Sequence, residues 1–397
     1  MDKMYTKVSR LHIELSSRCN ASCPVCSRNF CGGPVAPDLE LTELSIDDIK
    51  RMIPIELAKQ LNAINFCGNL GDPGMAPDIL PIMEYFREHS PHIIMQIRTN
   101  GGMRNPKFWK QIGEFFVWSQ NNMSPYVDKT HLFNQPGVVF SVDGLEDTNH
   151  IYRRGVKWEK LYANMKAYSD TGAKGIWEWL IFEHNQHQVE EARALAKQLG
   201  FDFSIKNPLG FGEFEDRSRP ITVYDKEGNY EYNIWPANYT GPKPDTPELG
   251  YKISWDKESL KAANIKIIPD ITEFTKGLEN DEIVCKSTEN KDYGEVYISA
   301  NGYMLPCCFL GGIFGQFGNS YSRHQFNTMV REYGLEKFDL KKFNMLEILD
   351  GPHFQKFFLD GWSKKKFADG RLAFCAEVCG KKSPYDILYF NKKKEQA

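Results

Sequence analysis

Little in this 397-residue chain points to a membrane, an export route or a polyanionic partner. It has no stretch of roughly 18 apolar residues, the length a membrane-spanning helix requires. Its first ten residues, MDKMYTKVSR, lack the apolar core of a signal peptide. These absences predict a cytoplasmic protein. A formal charge of −3 gives no sign of a dedicated nucleic-acid binder. Cysteine is missing from residues 68 to 284, yet the chain holds ten. In a chain with no export signal, that number points to metal or redox chemistry rather than disulfides. The cysteines fall into two groups, Cys19, Cys23, Cys26, Cys31 and Cys67, then Cys285, Cys307, Cys308, Cys375 and Cys379, so two separate sites are expected. With 41% hydrophobic and 25% charged residues the composition is that of an ordinary globular protein. The length allows one large domain and a smaller one.

The first group is concentrated in Cys19-Asn-Ala-Ser-Cys23-Pro-Val-Cys26, directly after an apolar strand expected at residues 10–15. Three thiols spaced C-x3-C-x2-C converge on one centre only if the loop curls around it. A tetrahedral zinc site would need a fourth ligand, which Cys31 could supply. A four-iron cluster on three thiolates instead leaves one iron open to another ligand.

From residue 10 to about 206, strand-like and helix-like segments alternate. Strands are expected at 10–15, 63–67, 93–98, 137–142, 176–182 and 201–205, and helices at 45–59, 78–89, 106–116, 158–171 and 186–199. Repeated units of this length imply a parallel sheet with right-handed crossovers, whose ligands bind at the carboxyl ends of the strands. At those ends stand Gly68-Asn69-Leu70-Gly71-Asp72-Pro73, Thr99-Asn100-Gly101, Ser141-Val142-Asp143-Gly144 and Arg153-Arg154-Gly155. Two glycines let a backbone approach a ligand, a carboxylate accepts from an ammonium group, and an arginine fork grips a carboxylate. The plain alternatives are a Gly/Pro turn and an exposed arginine.

On these residues, over roughly the first half, the chain resembles the radical S-adenosylmethionine superfamily. The resemblance implies an open, partial (β/α)6 TIM-like barrel. It also implies a [4Fe–4S] cluster on Cys19, Cys23 and Cys26 whose open iron chelates S-adenosylmethionine. It places Gly68, Asn69, Gly71 and Asp72, a Gly-Asp-Pro variant of the family's Gly-Gly-Glu-Pro motif, at the methionine amino group. Asn100 falls at the strand-end turn near the cofactor, and Ser141 and Asp143 in the element facing the cofactor carboxylate and ribose. Arg154 precedes a glycine as in the family pattern and would hold the methionine carboxylate, with Arg153 as the alternative. Val25 departs from the aromatic residue many members carry there, a change of packing and not of ligation. One electron, from a flavodoxin- or ferredoxin-type donor, would cleave the sulfonium to a 5′-deoxyadenosyl radical that abstracts hydrogen from a substrate.

Residues 207–284 break the rhythm, with a β-hairpin expected around Glu227-Gly228-Asn229, a proline-rich stretch at 235–247 and a helix at 257–264. This segment reads as an irregular connector or lid. In residues 285–397, Cys285, the Gly302-x4-Cys307 element and Cys375-Ala-Glu-Val-Cys379 together resemble the twitch module, a shortened relative of the SPASM domain. The resemblance implies a small α+β module with one auxiliary [4Fe–4S] cluster on Cys285, Cys307, Cys375 and Cys379, with Cys308 able to replace Cys307. A zinc ribbon would use the same four cysteines.

Residues 1–206 are thus expected to form the core, 207–284 the connector and 285–397 the second module. The leading expectation is oxidation or cross-linking of a peptide or small-molecule substrate. The short lead before the first strand leaves no room for a leader-binding domain and argues mildly against a leader-dependent peptide maturase. Cys67, at the end of the second strand, faces either the barrel or a helix. Facing the barrel, it could donate hydrogen in a redox-neutral epimerisation. The non-enzyme alternative is a zinc protein with two sites.

Overall fold

The computed structural model describes residues 8–37, 39–123, 135–208, 211, 220–238, 278–285, 287–288, 294–314 and 320–381. The helix expected at 257–264, and Pro242, Pro244 and Pro247, lie outside the described residues. Six strands pair in parallel in chain order: β1 (Val8–Ile13), β2 (Ala63–Phe66), β3 (Ile94–Thr99), β4 (Gly137–Ser141), β5 (Gly175–Leu180) and β6 (Phe201–Lys206). A hairpin of β7 (Ile221–Tyr224) and β8 (Tyr230–Ile234) stands apart from this sheet. β9 (Gly294–Ile298) then pairs in parallel with β1, and β10 (Met304–Leu305) closes the edge, giving the order β10-β9-β1-β2-β3-β4-β5-β6. The sheet therefore runs unbroken from the first half of the chain into the residues that carry the second cysteine group.

The helices follow local chemistry. Ser45 and Asp48 form a reciprocal capping box on α1 (Ile46–Met52). Pro54, which has no N–H, splits the single helix expected at 45–59 and starts α2 (Ile55–Ala58). Asp78 precedes α3 (Ile79–His89), but its carboxylate accepts from Ile46 N (3.0 Å), tying α3 to the start of α1. Asn105 caps α4 (Pro106–Asn121), and α5 (Asn149–Tyr152), α6 (Trp158–Ser169) and α7 (Val189–Gln198) complete the first half. The second half holds α8 (Cys308–Phe314), α9 (Ser320–Tyr333), α10 (Met345–Asp350), α11 (Pro352–Ser363) and α12 (Ala373–Cys379).

Residues in register share a face of the sheet. One face carries Leu11, Ile64, Met95, Ile97, Val138, Phe140, Trp177 and Trp179, all essentially buried. It packs on the helices, with Phe66 against Phe86, and Phe140 against Trp109 and Tyr168. Each such side chain contributes about 1.5–3 kcal/mol. The opposite face mixes Val139, Ile176 and Leu180 with many polar residues: His12, Asn65, Gln96, Arg98, Ser141, Glu178, Ser204 and Lys206, with Glu295 and Tyr297 on β9. This is the inner surface of the partial barrel.

Candidate active site at the carboxyl ends of the strands

The loop after β1 coils through Cys26 N–H to Cys23 O (3.0 Å) and Asn29 N–H to Cys26 O (3.2 Å). N–H groups converge on its sulfurs. Ala21 N donates to Cys19 Sγ (3.3 Å), Asn100 Nδ2 to Cys19 Sγ (3.6 Å) and Arg153 Nη1 to Cys23 Sγ (3.6 Å). Cys26 Sγ lies 4.0 Å from Asn69 O. Burial raises all three thiols, Cys26 to about 11, and Cys19 is raised further by Asp72 and the other two sulfurs. Metal ligation here therefore displaces thiol protons. Cys31 is exposed and its carbonyl accepts from Tyr224 N on the hairpin (3.1 Å).

The Gly68–Asp72 loop lies directly on this coil. A Cβ on Gly71 would sit 1.9 Å from Ser16 O, so no larger residue fits. Glu14, 1% exposed, holds the loop from β1: Oε1 accepts from Leu70 N (2.6 Å) and Gly71 N (2.9 Å), and Oε2 from Tyr297 Oη (2.5 Å). Sequence reasoning missed Glu14; a carboxylate continuing an apolar parallel strand was the available signal. Asp72, 4% exposed, takes Gly74 N and Thr99 Oγ1 on Oδ1, and Asn100 N and Nδ2 on Oδ2. Those bonds occupy the carboxylate, which joins the second and third strand ends; burial lifts its pKa to about 6. Asn100 also accepts from Gly102 N and donates to Asn20 Oδ1.

Ser141 ends β4 on the polar face, half-buried and in register with Glu178. Asp143 is fully buried; it accepts from Leu180 N (2.6 Å) and pairs with Arg153 Nε (2.6 Å). The two arginines keep different company. The Arg154 guanidinium pairs with Glu231 and donates to Tyr232 Oη (3.0 Å), on the hairpin. Of the two, Arg153 is the one whose guanidinium reaches a cysteine sulfur, that of Cys23.

In the second half, Cys285, Cys307, Cys375 and Cys379 line one small cavity with Pro306, Trp362 and Phe374. Burial raises Cys285 to about 12 and pushes Cys307 and Cys375 up as well. Cys308 turns elsewhere, toward Cys67 and Glu295. Its carbonyl accepts from Asn69 Nδ2 (2.7 Å), which fastens α8 to the loop after β2. Among the described residues no three His, Cys, Asp or Glu side chains gather closely enough to hold a single metal ion. Tetrahedral zinc draws four ligands within about 2.3 Å of one point. In a four-iron cluster each thiolate binds a different iron, so the sulfurs stand further apart. Four cysteines on one lining suit either a tetrahedral zinc or a four-iron cluster.

Cys67 faces the barrel: its electrostatic neighbours are Arg98, Glu14, Glu178 and Asp72, and burial raises its thiol to about 11. His12 Nε2 lies 2.8 Å from Cys67 O, so that nitrogen carries the hydrogen, and burial holds the ring neutral with a pKa near 4. No helix among the described residues is long and apolar enough to cross a membrane.

A cysteine coil, a Gly-Asp-Pro loop and buried strand-end polar groups thus meet at one end of a mostly parallel α/β sheet. No protein-family model matches the chain. It is 26% identical over 122 residues to the FeMo cofactor biosynthesis protein NifB of Methanocaldococcus jannaschii, a stretch covering 29% of this chain and 39% of that protein. The fold is similar to that of Streptococcus suis SuiB bound to S-adenosylmethionine, with a TM-score of 0.45 and 16% identity over 77% of this chain and 62% of SuiB. It is also similar to anSMEcpe with bound AdoMet, with a TM-score of 0.44 and 15% identity over 91% of this chain and 88% of that one. The chain thus spans about two fifths of NifB and under two thirds of SuiB.

Proposed function

We propose that this chain is a radical S-adenosylmethionine enzyme that abstracts hydrogen from a peptide or small-molecule substrate, for oxidation or cross-linking. The observation that carries the reading is the coil of Cys19, Cys23 and Cys26 at the end of β1, with Asn100 and Arg153 donating to its sulfurs. Those three cysteines would hold a [4Fe–4S] cluster, and Cys285, Cys307, Cys375 and Cys379 an auxiliary one. When bound, the first cluster supplies the electron that cleaves S-adenosylmethionine to a 5′-deoxyadenosyl radical, drawn from a flavodoxin- or ferredoxin-type donor.

This chain's own residues do the positioning. Glu14 and the glycines press the Gly68–Asp72 loop onto the cysteine coil, where its backbone carbonyls would receive the methionine ammonium while Asp72 ties the loop to Thr99 and Asn100. Arg153, set by Asp143, receives the methionine carboxylate. Ser141 and Asn100 flank the same opening. Anaerobic reconstitution with iron and sulfide, followed by dithionite and S-adenosylmethionine, should yield 5′-deoxyadenosine; its absence from cluster-loaded protein would reject the reading.

A second reading, redox-neutral epimerisation, is favoured by the inward-facing Cys67. Burial keeps it a protonated thiol, the form that can return a hydrogen atom.

A further inference from the structure

One turn of helix touches both cysteine sites. Cys307, the residue before α8, lines the cavity shared with Cys285, Cys375 and Cys379, and Leu310 lines it too. The carbonyl of Cys308 accepts from Asn69 Nδ2 (2.7 Å), 239 positions away in the loop after β2. Asn69 O lies 4.0 Å from Cys26 Sγ. Asn69 therefore meets the first cysteine coil with its backbone and the second module with its side chain. The same turn rests on the sheet at Tyr297. Gly311 N donates to Cys307 O (3.2 Å), and a Cβ on Gly311 would lie 2.2 Å from Cε1 of Tyr297, so the helix backbone sits directly on that ring. Tyr297 Oη in turn donates to Glu14 Oε2, while Glu14 Oε1 accepts from Leu70 N and Gly71 N. Contiguous hydrogen-bonded and packed groups of this kind can carry coupling between two sites.

We propose that the first turn of α8 couples the two cysteine sites through Asn69, so that a metal centre on Cys285, Cys307, Cys375 and Cys379 tightens S-adenosylmethionine binding beside Cys19, Cys23 and Cys26. A centre bonded to Cys307 fixes the start of α8, and with it the Cys308 carbonyl that anchors Asn69. A loop held in its binding geometry beforehand has less ordering left to do when the ligand arrives, and so binds more tightly. Asn69 is thus a positioning residue. The coupling is reciprocal: S-adenosylmethionine strengthens the second centre by the same factor. The proposal rests on the reading above for S-adenosylmethionine as the ligand of the first site.

The test measures S-adenosylmethionine affinity rather than turnover, by anaerobic equilibrium dialysis on reconstituted full-length protein. Cys375→Ser with Cys379→Ser empties the second site, and about four remaining iron atoms show that the first is still loaded. Emptying the second site should weaken binding about fivefold or more. Asn69→Leu should do the same with both sites loaded, yet change affinity about twofold or less once the second site is empty. A side chain that only contacted the cofactor would give the same loss in both backgrounds. Should the emptied protein fail to fold, Gly311→Ala decides. Its added methyl pushes α8 off Tyr297, and S-adenosylmethionine binding should weaken about fivefold at unchanged metal content. Equal affinity with the second site filled and empty, an Asn69→Leu loss of one size in both backgrounds, or wild-type affinity in Gly311→Ala would each overturn the coupling. Wild-type protein that binds S-adenosylmethionine tightly whatever the state of the second site defeats the coupling alone. Wild-type protein that binds none defeats the enzymatic reading and the coupling with it.

Discussion

Arg153 can be removed in a way that separates cofactor binding from folding. Its guanidinium lies between the Asp143 carboxylate, at 2.6 Å, and Cys23 Sγ, at 3.6 Å, and its side chain is 17% exposed. Asp143 is fully buried and its carboxylate also accepts from Leu180 N at 2.6 Å. Arg153→Met alone therefore strands a buried carboxylate, at a cost of about 3–5 kcal/mol in stability. The pair Arg153→Met with Asp143→Asn avoids that penalty, because an asparagine carbonyl can still accept from Leu180 N. Cofactor affinity should then fall by about 1.5–3 kcal/mol, roughly tenfold to a hundredfold, in the double variant as in the single one. Arg154→Met, which frees only Glu231 and Tyr232 on the hairpin, should bind nearly as the wild type does. Anaerobic calorimetric titration with S-adenosylmethionine, beside denaturant unfolding, reads both quantities. Wild-type affinity in the double variant, or a loss in Arg154→Met equal to that in Arg153→Met, would refute the assignment.

Other outcomes follow from neighbouring groups. Glu14→Ala leaves Leu70 N, Gly71 N and Tyr297 Oη without their acceptor and should destabilise the fold by at least about 3 kcal/mol, whereas Glu14→Gln keeps an acceptor for the two amides and should cost much less; equal denaturant midpoints for the two would contradict this. His12 has its folded pKa lowered to about 4 from 6.5, so between those values the unfolded chain binds a proton that the folded one refuses. Its contribution is full above pH 6.5 and falls by up to roughly 3 kcal/mol toward pH 4, and His12→Gln should flatten that part of the stability profile relative to wild type. If Cys67 donates hydrogen, Cys67→Ala should accumulate 5′-deoxyadenosine without product, and wild-type product should carry solvent deuterium; normal turnover by the variant leaves the oxidative reading alone.

Much of this architecture can be read from local pattern. The strand–helix alternation up to residue 206 lies close to β1–β6 and their helices, because each unit carries its own apolar strand and its own helical apolar period. Pairing of β9 with β1 joins residues nearly three hundred positions apart, and no local signal specifies that. The choice between Arg153 and Arg154 depended on which way a turn faces, which adjacency in sequence leaves open. Cys307 and Cys308 pose the same problem, and in the structure only Cys307 lines the four-cysteine cavity. The polar inner face was legible in principle. His12 and Glu14, in and just after β1, and Gln96 and Arg98 in β3 sit at alternate positions among largely apolar residues, and that period of two, with Glu178 on β5, marks one polar face.

The central claim is tested most directly by counting iron and product together in one set of variants. Wild-type protein reconstituted anaerobically should hold about eight iron atoms, four per cluster, and form 5′-deoxyadenosine. With Cys19, Cys23 and Cys26 all replaced by alanine, about four iron atoms should remain and 5′-deoxyadenosine should vanish. A triple variant that still makes 5′-deoxyadenosine, or a wild type that binds zinc and no iron, would contradict the account.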